Sequence, residues 1–407
     1  HPQVLHRLNE VYEAYFEYYT NHPNKQAKLL SRLLSVANGR KAYAGMLMGL
    51  NDEYLMKKKY DFENKLKAKV KADPELSKTY GSIWEEIDRV IDKLSKVQNK
   101  ILHLGLSHYH GSSYFKTAQL LARLSYSKSM GMTKADEYFA EAEEEELQKL
   151  LTIAHEGFLR KVKGESYKYL SSLYGNKQGK EALDFFLKNT QVDDKAFVIS
   201  LAEKGSKAIK NSKDPVIQYA LNEYAISSKL DKEKKALENT LAVLNQKLGL
   251  LIYKVYSDKI PPDATASLRI SHGKIKGYEY NGTLAPAKTT YYGLWDRYHS
   301  FGEKPYPWDL HDRWKEVPEG LDLSIDIGFA STNDIVGGNS GSSVINKKGE
   351  VVGLIHDGNL ESLSGSYAFL REDNRAVATD SHGLFEALKY VYKTERLMVE
   401  LKNGKIK

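Results

Sequence analysis

A serine set among glycines is the part of this 407-residue sequence best suited to chemistry: Gly337-Gly338-Asn339-Ser340-Gly341-Ser342. Glycine lets the backbone turn sharply and bring its N–H groups close to a carbonyl. In such a turn Ser340 is placed to attack an acyl carbon, and the N–H groups of Gly338 and Ser340 are placed to hold the resulting oxyanion. Each such donor contributes roughly 3 kcal/mol to transition-state stabilisation. The same string also reads as a flexible polar loop, the usual role of Gly, Ser and Asn clusters. It is not the nucleophile elbow of an α/β-hydrolase, because position 342 is Ser and no helix follows. A serine nucleophile needs a base, and none is obvious in the chain.

The other candidate residues carry weaker signals. There are 12 histidines, with His108 and His110 close together and His103 nearby, but no third and fourth ligand at metal-site spacing. His155-Glu156 lacks the second histidine of a zinc-protease helix. Structural or surface roles are expected for His103, His108 and His110, while His356 is the better candidate for a role near Ser340. There are no cysteines, which excludes disulfides, thiolate metal sites and cysteine nucleophiles. No cofactor or metal is implied. Glu143 to Glu146 and Lys57 to Lys59 read as solvated helix faces. The aromatic stretch from Tyr291-Tyr292 to Trp308 reads either as a peptide-binding rim or as a loop cluster packed on its own domain.

These residues must be positioned by two different kinds of structure. With 41% apolar and 28% charged residues, the chain has the composition of a soluble globular protein with two or three domains. No run approaches the ~18 apolar residues of a membrane span. The net charge is +7, but Lys and Glu are interspersed, so no nucleic-acid footprint is expected. Of the 10 prolines, none lies between Pro74 and Pro215, whereas Pro261, Pro262, Pro286, Pro305, Pro307 and Pro318 cluster later. The break falls near residue 255. Before it, apolar residues at three and four spacing predict helices packed side by side. One is capped by Asn51 and ends before Pro74. A second opens at Asp73-Pro74-Glu75 and runs to about Leu104. A third follows Gly111-Ser112. A fourth opens with a capping box at Thr133 and Asp136 and carries Leu147, Leu150, Leu151 and Ile153. The last runs from Lys232 to about Tyr256. After the break, alternation predicts strands at Ser267–Ser271, Lys274–Tyr278 and Leu321–Phe329. A hairpin through Asn346-Lys347-Lys348-Gly349-Glu350 joins Val344-Ile345 to Val351–Ile355. Asp380-Ser381 caps a helix near the end.

Thr332 to Ser342 resembles the nucleophile motif of the bacterial dipeptidyl-peptidase family that includes dipeptidyl-peptidases 7 and 11. The likeness continues through Gly353-Leu354-Ile355-His356-Asp357-Gly358-Asn359, through Arg375-Ala376-Val377 and on to Asp380-Ser381. Upstream it takes in Pro262-Asp263-Ala264, Leu268-Arg269 and Gly273 to Tyr278. It is specific across 261–400 and weaker across 1–255, whose helices resemble the α-helical insertion of those enzymes. The resemblance implies an all-α helical domain over 1–255. An antiparallel segment of a chymotrypsin-like β-barrel with a C-terminal helix would follow over 256–407. The catalytic His and Asp of the family come from an early barrel segment, so they are expected N-terminal of His1. The chain starts at His1-Pro2 with no signal peptide and is read as a fragment or processed product, expected to be inactive alone.

The resemblance also implies roles residue by residue. Ser340 is the nucleophile and Gly338 an oxyanion donor. Asp357 binds the substrate's α-ammonium, which is largely protonated at neutral pH. Asn38, in Ala37-Asn38-Gly39, shares that ammonium, although Asn-Gly is also an ordinary turn or helix break. Gly358 stands where acid-specific relatives carry Arg, which implies an apolar P1 side chain. His356 replaces an aromatic apolar residue, Ser343 a proline, and Asn339 the Asp of digestive relatives. The implied function is a serine exopeptidase that releases dipeptides from oligopeptides with a free N-terminus through an acyl-enzyme. Such an enzyme is expected to be a homodimer in the periplasm or at the cell surface of a Gram-negative bacterium. The alternatives are a non-catalytic helical binding or scaffold protein with a degenerate protease barrel, and an endopeptidase of the same barrel type.

Overall fold

The computed structural model describes residues 2–106, 111–126, 134–142, 144–259, 270–301, 308–367 and 369–405. The chain divides into two compact units, one of residues 1–44 and 61–262, the other of 45–60 and 263–407.

The first unit is helical. In chain order the helices are α1 (Pro2–Asn21), α2 (Gln26–Leu50), α3 (Glu53–Ala72), α4 (Pro74–Tyr80), α5 (Ile83–Leu102), α6 (Ser113–Tyr126) and α7 (Glu145–Val162), although α2 from Gly45 and α3 up to Tyr60 belong to the second unit. The short helices α8 (Leu170–Tyr174), α9 (Gly179–Asn189), α10 (Lys195–Lys204) and α11 (Ser206–Asn211) lead to α12 (Pro215–Tyr256), 42 residues long. Helix α1 packs on α7, and α12 packs on both α5 and α6. Its largest core cluster gathers Phe115, Leu121, Phe158, Tyr174, Phe186, Val198, Ile217 and Tyr219.

Helix ends follow local chemistry, and several differ from expectation. Asp73 caps α4 by accepting the N–H groups of Glu75 and Leu76, with Pro74 in the first turn. That helix stops at Tyr80 and α5 starts afresh at Ile83, because Gly81 and Ser82 form a turn between them. Asp52, not Asn51, caps α3, accepting from Tyr54 at 2.9 Å and Leu55 at 3.2 Å. Helix α12 begins 17 residues before Lys232 (215 to 232), where Asp214 accepts from Val216 and Ile217. Helix α7 starts at Glu145 rather than near Asp136, which lies in a separate 3-10 turn over Ala135–Tyr138. Thr133 of the predicted capping box lies outside the described residues.

The second unit contains a hairpin of β1 (Tyr278–Tyr280) and β2 (Thr283–Ala285). Its main sheet holds β3 (Lys288–Thr290), β4 (Asp326–Ser331), β5 (Ser343–Ile345), β6 (Val351–Gly358) and β7 (Ala376–Asp380), all antiparallel in the order β3-β4-β7-β6-β5. The expected barrel is not found among the described residues. The sheet is open, with three-residue strands β3 and β5 at its edges and no hydrogen bonding between them. The predicted strand over Leu321–Phe329 is extended only from Asp326, and β4 runs on to Ser331. Asp322 instead closes a turn by accepting the N–H of Ser324 at 2.9 Å. The Ser267–Ser271 strand falls largely outside the described residues. Of Lys274–Tyr278, Ile275 makes an isolated bridge to Ser331 and Tyr278 opens β1, paired with Ala285. Phe329, Ile355, Ala376 and Ala378 form the core of the sheet. Helix α13 (Tyr291–Phe301) buries Tyr291 and Trp295, so this part of the aromatic stretch is packing rather than a rim. Helices α14 (Asp312–Lys315), α15 (Ser381–Glu386) and α16 (Glu395–Asn403) complete the unit, with Asp380 capping α15.

Candidate active site

The turn carrying Ser340 leaves β4 and returns into β5. Gly338 and Gly341 have φ of 102° and 84°, a region that a side chain resists, so glycine is required on both sides of Ser340. Asn339 braces the turn. Its N–H and its side-chain amide both donate to the Val336 carbonyl, at 3.2 and 2.8 Å. Gly341 N–H donates to the Ile355 carbonyl at 2.7 Å, and Ile355 N–H donates to the Ser342 carbonyl at 2.9 Å. The nucleophile turn is therefore tied directly to β6. Ser340 is exposed, and among the described residues the N–H groups of Gly338 and Ser340 make no hydrogen bond. No histidine or carboxylate hydrogen-bonds the Ser340 hydroxyl among those residues either.

Strand β6 carries the next group of candidates. Ile355 is buried, so regular alternation would expose His356 and turn Asp357 inward. The β6–β7 register instead shifts between Ile355 and Asp357, a bulge at His356. Both His356 and Asp357 are consequently exposed. One Asp357 oxygen accepts the N–H of Gly358 at 2.8 Å. Among the described residues the carboxylate has no cationic partner, so it is open to a ligand's ammonium. His356 Nδ1 lies 3.2 Å from the Thr379 hydroxyl on the neighbouring strand.

Gly358 is packed closely. A Cβ there would meet the Ser362 side chain, including its Cβ at 3.1 Å, and the Arg375 carbonyl at 3.2 Å. Asn359 and the buried Arg375 fix this strand end, and sequence reasoning assigned neither a role. Asn359 Oδ1 accepts from Arg375 N–H and from Ser362 N–H, and its amide donates to the Asp373 carbonyl at 2.7 Å. An asparagine after a strand and an arginine just before the apolar run Ala376–Ala378 were the available signal.

The 3-10 turn after Gly358, Leu360–Ser366, is covered by the end of α2, residues that belong to the same unit. A side chain at Gly45 would overlap Leu363, and one at Gly49 would overlap Ser364. Tyr367 hydroxyl lies 3.8 Å from the Met46 sulfur.

Asn38 is an exposed residue of α2 in the first unit. Ala37-Asn38-Gly39 does not break the helix, which runs on to Leu50. Of the remaining candidates, His108 and His110 lie outside the described residues, and His103 follows the end of α5. His155 is part-buried, with Nδ1 2.8 Å from the Tyr174 hydroxyl and Nε2 3.2 Å from that of Tyr219. Burial, with the nearby charge of Arg7, lowers its pKa to about 3. The acidic run is not merely solvated: Glu144 binds Tyr18 at 3.0 Å and Lys25 at 2.5 Å, and Glu146 lies 3.1 Å from His22. Among the described residues no cluster of three or more His, Asp or Glu could hold a metal ion, and no helix is long and apolar enough to cross a membrane.

The geometry thus ties an exposed serine turn to the strand that carries an exposed carboxylate. Dipeptidyl-peptidase 7 of Porphyromonas gingivalis is 26% identical over 366 residues, covering 80% of this chain and 48% of that protein. An Asp/Glu-specific dipeptidyl-peptidase of Flavobacterium psychrophilum is 26% identical over 355 residues, with the same coverage of 80% and 48%. The chain spans about half the length of these curated relatives. The crystal structure of Porphyromonas endodontalis DPP11 matches 98% of this chain and 60% of its own, with a TM-score of 0.74 at 19% identity, a likeness of fold. A model of the Peptidase S46 family matches residues 1–403, and the chain belongs to that family.

Proposed function

We propose that this chain carries the nucleophile and the amine anchor of a serine exopeptidase that releases N-terminal dipeptides. One observation carries the reading. Gly341 N–H is bonded to the Ile355 carbonyl, so the Ser340 turn is fastened to the strand that, past its bulge, presents Asp357. A carboxylate held at a set distance from the nucleophile measures substrate from its free amine. Ser340 attacks the second peptide bond, the N–H groups of Gly338 and Ser340 take the oxyanion, and water then hydrolyses the acyl-enzyme. The reading includes a general base from outside the described residues. It also includes a substrate-binding role for the Asn38 amide, an early barrel segment that completes the β domain, a homodimer, and a periplasmic or surface setting.

Gly358 offers no cation beside the anchor, so we propose an apolar P1 preference. The test is hydrolysis of fluorogenic dipeptides by the full-length protein, with apolar, acidic and basic P1 residues and with free or acetylated amines. Cleavage only of free-amine substrates, abolished in Ser340→Ala, is expected. Equal rates on acetylated substrates would point to an endopeptidase and remove the role of Asp357. Activity surviving Ser340→Ala would remove the mechanism.

A further inference from the structure

The second half of α12 has two unlike sides. Leu230 and Leu237 join Val97 and Ile101 of α5 in one cluster, and Leu248 and Leu251 join Ile83 and Ile87 in another. The side turned away from α5 is exposed. Successive helix residues turn by about 100°, so Lys235, Val243, Lys247, Leu250, Tyr253 and Lys254 fall within about 120° of arc. No acidic residue falls in that arc between Lys235 and Lys254. Glu233 and Glu238 lie outside it, and Glu238 is held by Lys234 at 3.4 Å. Val243, Leu250 and Tyr253 are 53, 59 and 66% exposed, and beside them a Cβ at Gly249 would meet nothing within 4 Å. Among the described residues, then, nothing covers this side. Helix α3 extends it at one margin. Phe62, also exposed, stacks on Tyr256, and Lys69 lies 4.3 Å from the same ring. Glu63 is paired instead with Lys67, which sits over Trp84 of α5. The Lys and Glu residues interspersed along the sequence are thus sorted here, with Lys and apolar tips on one face and the acidic side chains kept off it.

We propose that this face of α12 docks the protein peripherally on an anionic lipid surface. The charge complementarity is one-sided: an acid-free row of lysines attracts phosphate headgroups, and no carboxylate within the row opposes them. The shape fits a plane. The back of a helix is convex, and from Lys235 to Lys254 it runs for roughly 30 Å, so it meets a flat partner along its whole length. The chemistry fits the boundary between headgroups and acyl chains. The Leu250 and Val243 tips enter it, the Tyr253 ring lies across it, and the lysine stems lie along the apolar layer with their ammonium groups at phosphate level. Three apolar tips hold weakly alone, so the docking is reversible and depends on both contributions. The face lies wholly within the first unit, and the proposal does not depend on the peptidase reading.

The test is co-sedimentation of the intact protein with phosphatidylcholine vesicles, pure or carrying ~30% phosphatidylglycerol, at ~50 mM salt. Binding to the anionic vesicles is expected, weaker by roughly tenfold or more on the neutral ones. Lys235→Glu combined with Lys247→Glu should weaken it by roughly tenfold or more. Lys180→Glu combined with Lys207→Glu makes the same change of net charge on α9 and α11 and should leave binding unaltered. Equal loss in both pairs would reduce the effect to net charge and overturn the face. Leu250→Ser combined with Tyr253→Ser should weaken binding by roughly tenfold while thermal unfolding stays unchanged, since both side chains are exposed. Undiminished binding by that pair, or equally tight binding of the unmodified protein to soluble polyglutamate, would point to an acidic protein partner and overturn the lipid assignment. No binding to the anionic vesicles would overturn it outright.

Discussion

Asn359 and Arg375 hold each other in both directions: Asn359 Oδ1 accepts the Arg375 N–H at 2.8 Å, and Asn359 N–H donates to the Arg375 carbonyl at 3.1 Å. The Arg375 guanidinium, 2% exposed as a residue, donates to the carbonyls of Gly277, Arg371, Glu372 and Asn374 at 2.8 to 3.1 Å. Backbone dipoles from two stretches of chain thus converge on one buried cation. The strand end that presents Asp357 and Gly358 is fixed by this pair.

Arg375 therefore should not tolerate replacement. Arg375→Met leaves four carbonyls without that donor, and Arg375→Lys cannot span them with a single ammonium. Each is expected to lower stability by about 3 kcal/mol or more, read from urea denaturation. Asn359→Ala should be milder, and its surviving folded fraction should show a raised KM with smaller change in kcat. A normal KM would separate this pair from the site.

Asp357→Asn tests the anchor. Loss of a charge-assisted contact of about 1.5–3 kcal/mol predicts a fall of roughly ten- to more than a hundredfold in kcat/KM for free-amine substrates. The substrate amine titrates near pH ~8, so kcat/KM should decline above that pH in the unmodified protein and lose this limb in Asp357→Asn. An unchanged pH profile would count against the carboxylate.

Gly358→Arg alone should lower the melting temperature, because its Cβ would run into Ser362. Gly358→Arg combined with Ser362→Gly should restore much of the loss and move the P1 preference toward Asp and Glu. A double variant that is stable but still prefers apolar P1 would show that this position does not set specificity.

His155 predicts an acid-sensitive helical unit. Its folded pKa of about 3 lies below its ordinary value of 6.5. The unfolded chain therefore binds the extra proton first, so the contribution is full above pH ~6.5 and is lost as pH falls toward ~3. The slope is about 1.4 kcal/mol per pH unit inside that window. His155→Gln, which keeps a polar partner for a tyrosine hydroxyl, should flatten it in denaturation curves taken across pH.

How far the sequence revealed this structure depended on whether the signal was local. Asp73-Pro74 marked a helix start because capping and a fixed φ act within one turn. Asp214-Pro215 carries the same chemistry and was passed over, since Ser227-Ser228-Lys229 interrupts the apolar pattern of α12. Gly81 ended a helix that periodicity alone would extend. The exposure of Asp357 was beyond reach, because a bulge at His356 is set by the partner strand and not by the residues of β6. Glu223 gave no sign either. One glutamate in a helix says nothing of burial until Gly105 and Ser166 converge on it.

The contact between α2 and the turn after Gly358 has a temporal side. Met46 and Tyr367 stand 321 residues apart in the chain. At synthesis rates of ~5–20 residues per second, the end of α2 emerges roughly a quarter of a minute to a minute before the turn it covers. During that interval Gly45 and Gly49 have no surface to seat on. The second unit cannot finish folding as its strands emerge; it must recruit a helix end made some 321 residues earlier. Assembly of the Asp357 strand end is thereby coupled to a helix synthesised long before it, and late docking of α2 becomes a candidate for the slowest step in maturation.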